Sequence, residues 1–204
     1  RIVQPVDDAG GLAVSMKLES SIVRLAGAQK NIQNAQSFLE VQDGILSSVG
    51  KILNRMVELK GLSEDVMKND SDKANYNREF QDLQLQIYDL AQVQFNGVSL
   101  FAEFQADGTS QAKINDLSAD NTLSVFASAD GSSGPTVSIN KAALLSALTI
   151  DEADVETEQE FGDAGTGTIS SFAAENIGDA INLIDVSVGV FTQAIENIAT
   201  LRAD

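Results

Sequence analysis

The longest regular pattern in the chain is a row of aliphatic residues that recurs every seven positions in its N-terminal part. Six residues stand in strict register: Leu18, Leu25, Ile32, Leu39, Leu46 and Leu53. The positions three residues later are mostly small or polar, so a neighbouring helix could approach closely. The pattern predicts one long helix over about residues 8–63, with Asp7 or Asp8 as its N-cap.

Two further segments show the four-three alternation of apolar residues that is typical of a helix packed along one face. The first follows the turn-forming stretch KNDSDKAN and predicts a helix over about 72–93. Its apolar positions are Tyr76, Phe80, Leu83, Ile87 and Leu90. The second predicts a helix over about 170–203, packed against the first helix. Its apolar positions are Ile177, Ile181, Ile184, Val188, Phe191, Ile195 and Ile198.

The helical periodicity disappears between these segments. Apolar and polar residues alternate over about 121–140, on both sides of the turn signals Asp130-Gly131 and Gly134-Pro135, and predict a β-hairpin. KAALLSAL, at 141–148, predicts a short helix. Residues 151–169 carry seven acidic side chains among Gly and Thr. We interpret this segment as a solvated loop, with a Ca²⁺ site as an alternative that lacks a recognised ligand spacing.

The order of these elements predicts a mainly α protein. We expect an elongated antiparallel helical bundle, similar to a coiled coil, with a small β-hairpin region at one end. Residues 1–101 would form the long helix, a turn and the second helix. Residues 102–169 would be a variable segment with the hairpin and the acidic loop, and residues 170–204 a C-terminal helix on the first. We expect one structural domain overall.

Charge and composition exclude several classes of function. The 204 residues include 13 Lys and Arg against 30 Asp and Glu, and the net charge of −17 has the wrong sign for a phosphate backbone. Without Cys or His, the chain lacks thiolates, imidazole bases and the commonest zinc ligands. We therefore expect no enzyme activity, no catalytic residue, no cofactor and no metal. No apolar run approaches the roughly 20 residues that span a bilayer, so neither nucleic acid nor membrane is an expected partner.

Three glycines, Gly27, Gly44 and Gly50, lie within the predicted long helix, where each costs ~1 kcal/mol relative to Ala. We interpret them as sites of close helix contact. Bending of the helix is the alternative.

Four stretches together resemble bacterial flagellin. RIVQPVDDAGGLAVSMKLES is similar to the N-terminal signature of that family, although Gly10-Gly11 replaces the more usual pair of alanines. ILNRMVELKGLS, at 52–63, is similar to a second signature, and FNGVSLF, at 95–101, to an element that follows the second helix. The last 25 residues look like the start of the C-terminal core helix. The resemblance implies an outer-core fragment that lacks the terminal inner-core segments.

Flagellin is a structural subunit of the bacterial flagellar filament, so the resemblance implies a secreted, extracellular protein that self-assembles through long helical faces for motility. It also implies that Arg55, Leu59 and Glu79 contact neighbouring flagellin subunits, and that the same residues could bind the vertebrate innate immune receptor for flagellin. An export chaperone would bind through the missing C-terminal segment. From the residues alone, Arg55 would be a solvated side chain beside an ordinary core Leu59.

Two other functions remain open at this point. A hook–filament junction protein of the same superfamily would share the helical architecture without forming long polymers. A surface adhesin or glycan-binding module could also use it, although sugar stacking favours aromatic side chains, and the chain has no Trp and only two Tyr.

Overall fold

The computed structural model describes residues 9–102, 122–151 and 169–203. Four α-helices occur in this part of the chain: α1 (Ala9–Ser63), α2 (Asp70–Ala91), α3 (Leu144–Ala147) and α4 (Val188–Ala203). Six short strands accompany them: β1 (Gln94–Phe95), β2 (Val98–Ser99), β3 (Thr122–Phe126), β4 (Thr136–Asn140), β5 (Thr149–Asp151) and β6 (Ile169–Ser171). The prediction of a mainly α protein with a small β-hairpin region is confirmed.

Side-chain caps determine where α2 and α4 begin. Asn69 has extended backbone angles, and its Oδ1 accepts a hydrogen bond from the Asp72 amide at 2.9 Å. This bond satisfies one of the free N–H groups of the first turn of α2. Ser187 precedes α4, and its Oγ accepts from the Val190 amide at 3.4 Å. The N-cap predicted for α1, at Asp7 or Asp8, lies outside the described residues.

The strands pair locally. β3 and β4 form the predicted hairpin, with Leu123 opposite Ile139 and Val125 opposite Val137. β1 pairs with β2 across Asn96 and Gly97, whose φ angles of 51° and 81° fit a two-residue hairpin turn. β5 pairs with β6. The short helix predicted in 141–148 is α3, whereas the acidic segment predicted as a loop lies almost entirely outside the described residues.

The chain separates into two compact units, where the sequence analysis expected one structural domain. The first unit comprises residues 1–39 and 122–140, and the second comprises residues 40–121 and 141–204. In the first unit the Asn31 side chain donates a hydrogen bond to the Phe126 carbonyl. There the aliphatic row of α1 is largely uncovered: Leu18, Leu25, Ile32 and Leu39 are 59%, 54%, 38% and 43% exposed.

The second unit contains the larger core. Phe191 of α4 lies at its centre, with its ring centroid 5.9 Å from Phe80 in an edge-to-face arrangement and 5.0 Å from Phe172. Leu46 and Leu53, the last two members of the aliphatic row, are buried. Other fully buried side chains of this unit are Met56, Leu59, Ile87, Leu100, Phe101, Leu144, Leu148 and Ile150.

The prediction of a helix over 170–203 is wrong for its first half. β6 ends at Ser171, a 3-10 turn covers Leu183–Asp185, and α4 begins only at Val188. Ile177 and Ile184, which the periodicity assigned to a buried helical face, are instead exposed.

The physical reason lies in tertiary hydrogen bonds to the backbone of the segment before α4. The Gln84 carboxamide donates to the Ile181 carbonyl at 2.8 Å and accepts from the Ile181 amide at 3.0 Å. Asn77 Oδ1 accepts from the Leu183 amide at 2.7 Å. These backbone groups are satisfied by side chains of α2, so the segment does not need helical hydrogen bonds.

The interpretation of the α1 glycines as close contact points is also wrong within the described chain. A Cβ added at Gly27, Gly44 or Gly50 would meet no non-adjacent atom within 4 Å. The carbonyls of Gly44 and Gly50 each accept an additional hydrogen bond, from Ser48 Oγ and Asn54 Nδ2 respectively. A Ser hydroxyl that bonds the preceding turn, as Ser48 does, often accompanies helix bending.

Candidate functional site

Arg55 of α1 holds two carboxylates at the surface of the second unit. Its Nε donates to Glu79 Oε1 of α2, and its Nη1 donates to Glu58 Oε2, both at 2.7 Å. The side chains of Arg55 and Glu79 are about two-fifths exposed, and that of Glu58 is more exposed. The guanidinium is therefore oriented by partners on two helices while its outer side stays accessible.

The electrostatics of this cluster keep Arg55 charged. The hydrogen bond that Arg55 donates to Glu79 is the main cause that raises the pKa of Arg55, and the bond that it donates to Glu58 adds to it. Sequence reasoning did not include Glu58 in the site, although its position three residues after Arg55 places it within ion-pairing reach on a helix. The three side chains together carry one positive and two negative charges.

Leu59 does not belong to this surface. The structure brings Arg55 and Glu79 together, but the Leu59 side chain is 0% exposed. Residues four positions apart on an α-helix are separated by one full turn plus about 40° of rotation around the helix axis. That rotation brings position 59 to the side of α1 where Met56 is also buried, so the Leu59 side chain cannot contact a partner in this conformation.

A second polar feature joins the end of α1 to the segment before α4. Lys60 is buried, and its Nζ donates to the carbonyls of Leu183 and Ile184, at 3.3 Å each. The same ammonium lies 3.4 Å from Glu64 Oε1. This role of Lys60 was not predicted from the sequence. The feature that could have indicated it is the position of a lysine directly after Leu59, on the buried side of α1.

Beside Lys60 lies a surface cavity of about 410 Å³, here named the α1–α2 socket. Its lining residues are Lys60, Ser63, Glu64, Lys73, Ala74, Asn77, Asn182, Leu183 and Ile184. Asn77 Nδ2 donates to Asn182 Oδ1 at 3.1 Å, which joins one wall of the socket to α2.

A further ion pair connects α4 to α1. Arg202 donates to both carboxylate oxygens of Asp43, at 2.6 and 3.2 Å. This hydrogen bonding is the main cause that lowers the pKa of Asp43. The pair links the last turn of α4 to Asp43 in the second half of α1.

Within the described ranges, no group of three or more acidic side chains is arranged to hold a metal ion. In the same ranges, no helix is long and apolar enough to cross a membrane. The described surface carries ion-pair clusters and exposed apolar side chains on α1.

Comparison with known proteins identifies the family. Residues 1–106 match the family described as bacterial flagellin N-terminal helical region, so more than half of the chain is covered and the chain belongs to the flagellin family.

Individual relatives agree with this assignment. The chain is 39% identical over 101 residues to the flagellar filament 30.7 kDa core protein of Treponema maltophilum, a match that covers 49% of this chain and 35% of that protein. It is 29% identical over 165 residues to a flagellin of Listeria innocua, over 78% of this chain and 57% of that protein. The crystal structure of Bacillus cereus flagellin is similar in fold, with a TM-score of 0.54 and 20% identity over 86% of this chain and 80% of that one. The chain thus spans between about a third and little more than half of these two sequence relatives.

Proposed function

We propose that this protein is a structural subunit of the bacterial flagellar filament, secreted and assembled outside the cell through its helical faces. Membership of the flagellin family supports the class of function, and two of the relatives carry the words flagellin or flagellar filament core protein in their names. The observation that carries the proposal is the uncovered aliphatic row on the first part of α1. Contiguous exposed apolar surface of this kind marks sites of association.

Polymerisation of the full-length protein tests this proposal. Wild-type protein should form filaments visible by electron microscopy. Replacing Leu25 and Ile32 together by Gln should reduce polymer mass strongly, because apolar area of the row is lost from the contact. Val66→Gln is the matched control, since Val66 is an apolar residue that is 91% exposed but lies outside the row.

Helix content measured by circular dichroism should be preserved in the Leu25/Ile32 variant. Polymer yields that are equal in the wild type and the double variant would contradict the proposed role of the row. Failure of the full-length wild type to polymerise under any salt condition would contradict the proposed function itself.

We further propose that Arg55 and Glu79 contribute to partner binding, either to neighbouring subunits or to the vertebrate innate immune receptor for flagellin. The accessible guanidinium, permanently charged and already oriented by Glu79 and Glu58, is suited to anchor an interface. Leu59 would act only indirectly, by holding this part of α1 in place.

Binding measurements on Arg55→Ala test this second proposal. If Arg55 is an anchor, the variant should bind the purified receptor domain at least about tenfold more weakly. Lys51→Ala is the control, because Lys51 is also exposed on α1. Equal affinity of the wild type and Arg55→Ala would remove Arg55 from the receptor site.

A further inference from the structure

The α1–α2 socket is built from side chains that are mostly committed to one another. Lys60 donates to two carbonyls and pairs with Glu64, as described above. Ser63 Oγ donates to the Lys60 carbonyl at 2.8 Å. Asn77 bonds both Asn182 and the Leu183 backbone. These bonds leave the shape of the socket well defined and leave few polar groups able to receive a ligand.

Lys73 differs from Lys60, the other lysine of the lining, because its ammonium group has no ion-pair partner among the described residues. Within the described ranges, no carboxylate lies within ion-pairing distance of its ammonium group, whereas Lys60 in the same cavity has Glu64. The lining therefore carries two positive charges and one negative charge. This local excess of positive charge lies on a chain whose net charge is −17.

The rim of the socket is apolar on one side. Ile184 lines the cavity and is 76% exposed, and Ala74 follows Lys73 at the start of the second turn of α2. An exposed aliphatic side chain and an ammonium without an ion-pair partner that line the same cavity suit a ligand with an aliphatic stem and a terminal carboxylate. The cavity of about 410 Å³ is within the range of volumes that hold small organic groups.

We propose that the α1–α2 socket receives a carboxylate side chain from a second copy of this chain, with Lys73 as its ion-pair partner and Ile184 in contact with its aliphatic stem. The 30 acidic residues of each copy make neighbouring subunits a dense source of carboxylates. Charge complementarity in such a contact favours the correct partner and fixes how the two surfaces are aligned. This inference rests on the proposed function, because it names one contact within the polymer.

Zero-length cross-linking of the assembled full-length protein tests the contact directly. A carbodiimide couples an ammonium to a carboxylate only when the two groups touch, forming an amide while the carbodiimide takes up the water that is lost. Filaments assembled from equal amounts of ¹⁴N- and ¹⁵N-labelled protein distinguish links between copies from links within one copy by peptide mass. Lys73 should give mixed-isotope links to Asp or Glu, and exposed Lys51 should give far fewer.

Substitutions provide a second readout. Lys73→Glu should raise the critical concentration for polymerisation at least about tenfold, because a like charge then faces the incoming carboxylate. Lys51→Glu makes the same charge change at an exposed position of α1 and should have a much smaller effect. Ile184→Ser should weaken polymerisation without changing the helix content of the monomer, because its side chain is largely exposed.

The outcomes separate this inference from the proposed function. Wild-type filaments without mixed-isotope links from Lys73, together with equal critical concentrations for Lys73→Glu and Lys51→Glu, would overturn the socket contact while leaving the filament function intact. Links from Lys73 that are confined to single copies would overturn it as well. If the full-length wild type formed no polymer, the proposed function and this inference would fall together.

Discussion

Gln84→Leu tests how the segment before α4 is held. The side chain of Gln84 is 0% exposed, and its carboxamide makes both hydrogen bonds to Ile181. Leu is apolar and slightly larger than Gln, so the substitution removes the two bonds without opening a cavity. The Ile181 amide and carbonyl are then left without these partners.

The expected destabilisation follows from those two groups. A buried polar group that loses its partner costs ~1–3 kcal/mol. Ile181 is only half-buried, so water can reach part of its backbone and the lower part of that range applies to each group. The free energy of unfolding should therefore fall by roughly 2–3 kcal/mol. With a urea dependence of about 2 kcal/mol per molar, the unfolding midpoint should fall by about 1–1.5 M.

Urea unfolding followed by circular dichroism measures this change. The matched control is Gln86→Leu, the same substitution two residues further along α2 at an exposed position, and it should leave the midpoint nearly unchanged. Amide hydrogen exchange gives a local readout, because the Ile181 amide should lose protection in Gln84→Leu. Equal midpoints for the two variants would refute the argument that Gln84 holds this segment.

Three further predictions concern the core, the helix glycines and the acid response. Phe191→Ala should lower the free energy of unfolding by ~3–5 kcal/mol in urea titrations, since two aromatic rings lose their central partner, whereas Phe126→Ala, at a 40% exposed site, should cost much less. Gly50→Ala should raise the free energy of unfolding by up to ~1 kcal/mol, and with it the melting temperature, because the added Cβ enters open space. Gly97→Ala should lower both, because Gly97 has a φ of 81°, which is unfavourable for a residue with a Cβ. Arg202 holds the pKa of Asp43 below its ordinary value of 3.8, so this pair stabilises the fold above that pH and its contribution is lost as pH falls below it. The stability difference between the wild type and Asp43→Asn should therefore disappear in strong acid, and a difference that persists there would contradict this account.

Local sequence signals account for the elements that depend on near neighbours. The heptad row and the four-three alternation predicted α1 and α2 because helix formation and the burial of one face follow from residues three and four positions apart. Asn, Asp and Ser in the turn before α2 predicted a new N-cap, which Asn69 supplies. The hairpin was likewise predictable from alternation on both sides of a turn.

The candidate site was only partly predictable. The pairing of Arg55 with Glu79 places residues 24 positions apart in direct contact, and only the resemblance to flagellin suggested both. That resemblance also suggested an exposed Leu59. The Leu59 side chain is buried because its angular position around α1 faces the core. The apolar pattern of the sequence alone had predicted Leu59 to be an ordinary core residue, and this prediction is confirmed.

Local residue patterns were enough to predict the mainly α class, the extent of α1 and α2 and the position of the β3–β4 hairpin. Tertiary structure decided where α4 begins, because the apolar spacing from Ile177 to Ile184 is compatible with a helix and local propensity does not exclude one. Gln84, Asn77 and Lys60 lie about 100 residues or more before that segment, and their side chains satisfy its backbone groups in an irregular conformation. A buried backbone N–H or C=O can be paired by a side chain as well as by another backbone group, so the outcome depended on which side chains the fold brought within reach.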